Sequence, residues 1–302
     1  MSAACRLHRC LGLGAAASSL GLACDPAKGA YALAEAVNVD IRDGRILRRP
    51  GFRRLGEGGY AGLFSHGGRL YGARGGAILA IPAQGEPRVL RDGLTPGAPV
   101  AFLGVGDTVY FANGFETGRL RDGAASPWGG GAWPGPDRTG RYVPPPAGHL
   151  LAWHAGRVWI ADGAVVRFTE GAGLHDWVDS LAGYLPPATG TVRLLRPVAA
   201  GLLVGDEAGV TLARGNDPKT MTFERVCPVP PLPGSDAALP AGRHAAVAGR
   251  ELAGQAAVWA GSDGLYLGLP SGQVARLAVA NIPAGACRAV ATGSRYQLFV
   301  RA

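Results

Sequence analysis

The sequence predicts an all-β fold, most simply a β-propeller of six blades, on three observations. Glycine and proline are abundant, 49 and 23 of 302 residues, and follow no collagen period. That composition suits many short strands joined by tight turns. A strand–turn–strand outline then recurs along the chain, clearest in residues 63–81 and 151–169. Finally, the bulky middle residue of each copy (Tyr71, Tyr110, Trp159, Leu203, Trp259) returns after 39, 49, 44 and 56 residues. Four-stranded blades repeat at roughly 40–50 residues. With 47% apolar and 17% charged residues the chain is globular, and it is long enough to bury a sizeable core.

Residues 1–32 read as an extended N-terminal arm and residues 33–302 as a single propeller domain. A secretory signal is the alternative for residues 1–24. Arg6 and Arg9 would form its charged region, residues 11–23 its apolar region, and Ala23-Cys24 its cleavage site. Gly21 stands where a lipoprotein signal wants a large aliphatic residue. No segment reaches ~18 consecutive strongly apolar residues, which argues against a membrane-spanning helix.

Residues 36–52 read as a β-hairpin. Val37, Val39 and Ile41 alternate with polar residues, the period of a half-buried strand. Asp43-Gly44 supplies a two-residue turn tolerant of positive φ. Ile46 and Leu47 restart the apolar run, and Pro50-Gly51 ends it. The copy at 63–81 follows, with the turn His66-Gly67-Gly68-Arg69 and the strand Leu70-Tyr71-Gly72-Ala73. Weaker copies lie at 101–120, 198–214 and 256–269, with the strong copy 151–169 between the first two. A last copy, 289–302, holds two strands only. Paired with the two strands of the opening hairpin it would complete a sixth blade and close the ring, removing exposed sheet edges. Seven blades result if the proline-rich stretches hide strands. Those stretches, 127–148 and 227–242, are predicted as long loops on one face, where binding usually resides on a rigid scaffold. Arg-Asp-Gly at 42–44, 91–93 and 121–123 reads as hairpin turns.

The net charge is +8, carried by 28 arginines and two lysines, Lys28 and Lys219. The densest cluster is Arg42, Arg45, Arg48, Arg49, Arg53 and Arg54. It reads either as part of a generically basic surface or as an interface facing nucleic acid or an acidic partner. Trp128 and Trp133, in the first proline-rich stretch, either anchor their loop or contact a partner. These eight residues are the candidate interface.

Motifs of catalysis are missing: no Gly-x-Ser-x-Gly elbow, no His-Glu-x-x-His, no phosphate-binding Gly-x-x-x-x-Gly-Lys. Five cysteines (5, 10, 24, 227, 287) fit no zinc spacing, and Cys227 and Cys287 read as packed apolar groups. His66 and His154 hold equivalent turn positions in two copies, which points to a structural role. His175-Asp176 beside Trp177 could form an acid–base pair but lacks a nucleophile and an orienting partner. Ser262-Asp263-Gly264 reads as a turn. No catalytic residue, cofactor or metal is expected.

Several strings resemble, in order, a family of tailed-bacteriophage virion proteins, tail-associated and propeller-like. They are Ala36-Val37-Asn38-Val39-Asp40-Ile41 leading to Arg48-Arg49-Pro50-Gly51; Trp153-His154-Ala155-Gly156-Arg157-Val158-Trp159-Ile160-Ala161; Gly201-Leu202-Leu203-Val204-Gly205 through Gly215-Asn216-Asp217-Pro218; and Gly264-Leu265-Tyr266-Leu267-Gly268 through Gly272-Gln273-Val274. Leu11-Gly12-Leu13-Gly14 is similar to an element of the family's N-terminal arm. The resemblance covers most of residues 33–280 and implies a non-enzymatic structural component of a virion, from the tail or head–tail region, assembled in the host cytoplasm. Its expected partners are other virion proteins and further copies of the chain, with contact to DNA open. The alternative is a secreted or periplasmic propeller lectin or hydrolase that binds a glycan.

Overall fold

The structure is a computed structural model describing residues 9–13, 24–33, 39–42, 44–48, 59–130, 132–136, 140–239, 253–279, 281–283, 285, 287–292 and 295–300. Among these residues the fold is β throughout, with one short 3-10 turn and no α-helix. The chain divides into two compact units, Met1–Glu57 with Val279–Asn281, and Gly58–Ala278 with Ile282–Ala302.

In the first unit, strands β1 (Arg9–Leu13), β2 (Cys24–Asp25) and β3 (Ala30–Leu33) form a sheet in the order β1-β3-β2. Where the sequence predicts an extended arm, the chain reverses between β2 and β3. Asp25 caps the 3-10 turn Pro26–Lys28 by accepting from Lys28 N, and Gly29 closes it at φ 57°, the left-handed region glycine adopts freely. β4 (Val39–Arg42) and β5 (Arg45–Arg48) form the expected hairpin, with Ile41 opposite Ile46 and Gly44 at φ 76° in the turn. Cys10 N donates to Gly44 O at 2.7 Å, joining β1 to that turn.

The second unit is a series of antiparallel meanders. The first sheet is β6 (Gly62–His66), β7 (Arg69–Arg74), β8 (Ala77–Ile81) and β9 (Arg88–Arg91). The second is β10 (Ala101–Val105), β11 (Thr108–Ala112), β12 (Thr117–Arg121) and β13 (Ala124–Ser126). After β14 (Tyr142–Val143) comes the third, β15 (Leu150–His154), β16 (Arg157–Asp162) and β17 (Val165–Phe168). β18 (Val178–Asp179) pairs with β14 outside these sheets. The fourth sheet is β19 (Leu194–Val198), β20 (Gly201–Asp206), β21 (Gly209–Arg214) and β22 (Thr222–Cys227). The fifth is β23 (Ala237–Leu239), β24 (Ala256–Gly261), β25 (Gly264–Gly268) and β26 (Val274–Val279). β27 (Cys287–Thr292) and β28 (Arg295–Val300) close the series as a two-stranded sheet.

The marker residues all fall on second strands, and the apolar runs around them explain how the sheets stack. A strand points alternate residues to opposite faces. On β11, Val109 and Phe111 join a core with Tyr71 and Ile78 of the first sheet, while Tyr110 and Ala112 join one with Val158 and Ile160 of the third. On β16, Trp159 and Ala161 face the fourth sheet, where Leu195 and Leu202 meet them. Leu203 turns the other way, onto Ala257 and Trp259 of the fifth. Ala256 and Val258 then pack with Ala291 and Tyr296 of the last sheet. A strand buried on both faces needs continuous apolar sequence rather than alternation. Val-Tyr-Phe-Ala and Val-Trp-Ile-Ala are such runs.

The proline-rich stretches are less uniform than the expected loops. Residues 127–148 contain β14. In residues 227–242, Cys227 ends β22 and Ala237–Leu239 is β23, because the apolar Ala-Ala-Leu can enter a sheet edge once the prolines have passed; residues 240–242 lie outside the described set. Prolines also shape the third sheet. Residues 183–188 run beside β17 as an irregular outer strand, with Phe168 N bonded to Gly183 O and Leu185 N to Val166 O. Pro186 and Pro187 have no N–H to extend that ladder.

Candidate functional site

The candidate interface residues fall into three groups. Arg42, Arg45 and Arg48 lie on the β4–β5 hairpin. Arg45 and Arg48 are exposed, as are Ile46 and Leu47 between them. Arg49, Arg53 and Arg54 lie outside the described residues. Trp128 and Trp133 lie where two long insertions of the second unit, residues 127–148 and 169–183, fold against each other.

That junction is built around aromatic side chains. Trp128 is buried at 3% exposure, packs on Tyr110, and donates from Nε1 to His175 O at 2.9 Å. It is therefore an internal anchor. Trp133 is half-buried, stacked on Tyr142 at 3.7 Å between centroids and set edge-on to Trp177. Its Nε1 is buried without a partner. Arg141 covers the Tyr142 ring and holds Asp179 with two nitrogens at 2.9 and 2.7 Å. Asp179 also accepts from Leu181 N and Ala182 N. The Arg141 guanidinium, with these N–H groups, holds the Asp179 carboxyl below its ordinary pKa. Arg119 reaches from β12 to Asp176 at 2.8 and 2.9 Å, tying the second insertion to the second sheet.

His175 is the titratable centre of this junction. Its ring stands edge-on to Trp153 and Tyr110, and its Nε2 is buried without a partner. Burial pushes its pKa below the ordinary value, so the neutral imidazole is the resident form. Asp176, the other half of the acid–base pair suggested by the sequence, is turned away to Arg119.

Other polar groups are committed to the frame. His66 donates from Nε2 to Gly106 O at 2.8 Å and His154 to Gly215 O at 2.9 Å, each linking one sheet to the next. His149 donates to Val192 O at 2.7 Å. Glu116 accepts from Thr95 N, Thr95 Oγ1 and Asn113 Nδ2, which lowers its pKa. Asp206 accepts from Thr189 N and Ala208 N, both at 2.8 Å. Burial pushes the Cys227 and Cys287 thiols up, away from the reactive thiolate. Tyr266, desolvated and donating to Asp263, is raised to about 12. Among the described residues no three His, Cys, Asp or Glu side chains converge as a metal site, and no helix is long and apolar enough to cross a membrane.

Two concavities lie between sheets of the second unit. One of ≈190 Å³ lies between the third and fourth sheets, walled by Leu185, Pro186, Pro187, Val204 and Phe223. The other, an open cleft of ≈580 Å³, is lined by His154, Val198, Ala199, Asn216, Asp217 and Gln255. Sequence reading misses the second because its lining comes from separate segments. The only hint is Asn216-Asp217, which ends one of the strings quoted above.

No family model and no curated protein matches the chain. Among solved structures, it is similar to the extracellular domain of a hybrid two-component system of B. thetaiotaomicron, with a TM-score of 0.49 and 10% identity, covering 74% of this chain and 28% of that one. A surface component of the type-IX secretion system of Porphyromonas gingivalis gives a TM-score of 0.41 at 14% identity, covering 80% and 33%. The AfRom2 CNH domain gives 0.38 at 10% identity, covering 71% and 69%. The chain thus spans about a third or less of the first two, and likenesses at this level assign no function.

Proposed function

We propose that the chain is a non-enzymatic structural component of a tailed-phage particle, acting as a rigid docking platform in the tail or head–tail region. The observation that carries this reading is the use made of polar side chains. Three histidines, Glu116, Asp179 and Asp206 spend their hydrogen bonds on backbone groups and ion pairs that fix turns, insertions and neighbouring sheets. Such a frame is suited to hold shape under load. The ordered series of phage-like strings supports the same reading.

In this proposal the platform is a six-bladed β-propeller. Five sheets supply five blades, and the two strands β27–β28 with the two strands β4–β5 make the sixth. The exposed Arg45, Ile46, Leu47 and Arg48 would then meet an acidic partner surface, a neighbouring copy, or passing DNA.

Mass spectrometry of gradient-purified particles induced from the source organism tests the assignment. The chain present in stoichiometric amount supports it. The chain found only in the culture supernatant or envelope fraction overturns it in favour of the secreted lectin or hydrolase. Neutralising Arg45 and Arg48 to glutamine should reduce particle assembly while leaving the melting temperature unchanged; full assembly would refute the role given to the hairpin.

A further inference from the structure

We propose that the open cleft between the third, fourth and fifth sheets binds a neutral polyhydroxylated ligand, the terminal sugar of a glycan. Its walls are pre-formed. Ala199 N donates to Gln255 O at 3.2 Å, Ala200 N to Pro270 O and Gly215 N to Ala200 O, both at 2.9 Å. His154 Nε2 reaches Gly215 O. The β15–β16 turn, the β19–β20 turn, the segment after β21 and the entry to β24 are therefore bonded to one another before any ligand arrives. Pre-organisation of this kind removes an ordering cost from binding.

The polar groups left over define the ligand. A carbonyl can only accept, so His154 donates from Nε2 to Gly215 O and belongs to the frame. Trp159 Nε1 donates to His154 O at 3.0 Å and fixes the backbone beneath. Asp217 Oδ1 accepts from Lys219 N at 3.1 Å within its own turn, which leaves Oδ2 available. The side-chain amides of Asn216 and Gln255 have no hydrogen-bond partner among the described residues. The cleft thus offers one carboxylate acceptor and two amides that both donate and accept, the set that pairs with hydroxyl groups. Val198 and Ala199 add small apolar surface for C–H groups. Among the described residues no arginine or lysine lines the cleft, so these residues do not provide for an anionic ligand. Among the described residues the lining holds one carboxylate, and glycoside hydrolysis in its common form needs two. Binding without turnover is the expected chemistry.

The cleft stands apart from the proline-rich segment that follows β22. In the fourth sheet it lies at the strand ends carrying the β19–β20 turn, whereas the proline-rich segment after β22 leaves from the opposite ends. The inference is independent of the virion assignment.

Saturation-transfer NMR on the full chain, with the methyl glycosides of glucose, galactose, mannose and N-acetylglucosamine as separate probes, tests it. Transfer to the ring protons of at least one is expected. Asn216→Ala and Gln255→Ala, which remove no bond of the frame, should each weaken that binding several-fold, and their combination more than tenfold, with unchanged melting. Asp217→Asn keeps the turn and should weaken it as well. No transfer from any probe overturns the proposal, as does transfer undiminished in the Asn216/Gln255 double variant. Tighter binding of inorganic phosphate than of any sugar also overturns it.

Discussion

Gly104 and His66 provide a sharp test of how the sheets are held together. Gly104 lies on β10 opposite Val109, and the His66 imidazole crosses it from the first sheet to reach Gly106 O. A methyl group at Gly104 would lie 2.1 Å from Nδ1, 2.4 Å from Cε1 and 2.5 Å from Cγ. Because Cγ is among the atoms struck, a small shift of the ring tip does not relieve the clash; the ring must leave. It then loses its hydrogen bond, about 0.5–1.5 kcal/mol, and its stacking on Phe64 at 6.0 Å, about 0.5–1 kcal/mol. If it stays, the two sheets must part, at a cost on the order of 1–3 kcal/mol. Against this, alanine in a strand gains roughly 0.5–1 kcal/mol over glycine. Gly104→Ala should therefore destabilise by about 0.5–2 kcal/mol in the natural chain, and be neutral or slightly stabilising in a His66→Ala background. Urea unfolding of the four proteins gives the coupling energy, expected at roughly 1–3 kcal/mol. A coupling below about 0.3 kcal/mol would refute the packing of His66 over Gly104.

Leu203→Ala removes a fully buried side chain from the core between the fourth and fifth sheets. It should cost about 3–5 kcal/mol in denaturant unfolding; a loss under about 1 kcal/mol would mean that those sheets are not close-packed. Trp128→Phe keeps the ring but loses the bond to His175 O, at about 1 kcal/mol. Amide exchange should then accelerate across residues 171–177, and unchanged protection would show that the bond does not hold the insertion. His175 is depressed in the folded state, so the unfolded chain takes up the proton first. Stability should be level above pH ~6.5 and fall as the pH drops below that value, a fall that His175→Phe should reduce. Asp179 and Glu116 are depressed carboxyls whose contributions are lost only at lower pH, as it drops through their folded values. The difference between the two proteins' denaturation midpoints across pH 5 to 8 therefore isolates His175, and identical profiles would contradict its burial.

The series of sheets is legible in the sequence because each second strand is buried on both faces. Two-sided burial leaves an unbroken apolar run with a bulky centre, and Tyr71, Tyr110, Trp159, Leu203 and Trp259 mark such runs at near-regular spacing. The turns His66-Gly67-Gly68-Arg69 and Asp162-Gly163 are legible for the same local reason. First strands are harder to see. β19 contains Pro197, tolerated because a first strand needs its N–H on one side only, and β23 is three residues set among prolines. The pair β14–β18 is invisible: two residues on each side, brought together by Arg141, Asp179 and the Trp133–Tyr142 stack rather than by any period. The reversal between β2 and β3 turns on one Asp25 cap and on Gly29 at positive φ, a signal too short to outweigh the glycine-rich text around it. Trp128 shows the limit for sites. A tryptophan in a proline-rich stretch reads equally as anchor or contact, and only its bond to His175 decides.

The distribution of chemistry across the second unit bears on what the chain can do. Its histidines and carboxylates are drawn mostly to places where one sheet, turn or insertion meets another, and there they accept backbone N–H groups or donate to backbone carbonyls. The two proposals place recognition on side chains whose polar atoms are not all spent on the frame. On the hairpin these are Arg45, Ile46, Leu47 and Arg48, two cations around two aliphatic groups, a composition suited to an extended protein surface. In the cleft they are Asn216, Gln255 and the free oxygen of Asp217, small uncharged or singly charged groups in a bonded frame, suited to hydroxyls. Under the two proposals these surfaces answer to different partners, and a variant that disables one should leave the other at full strength.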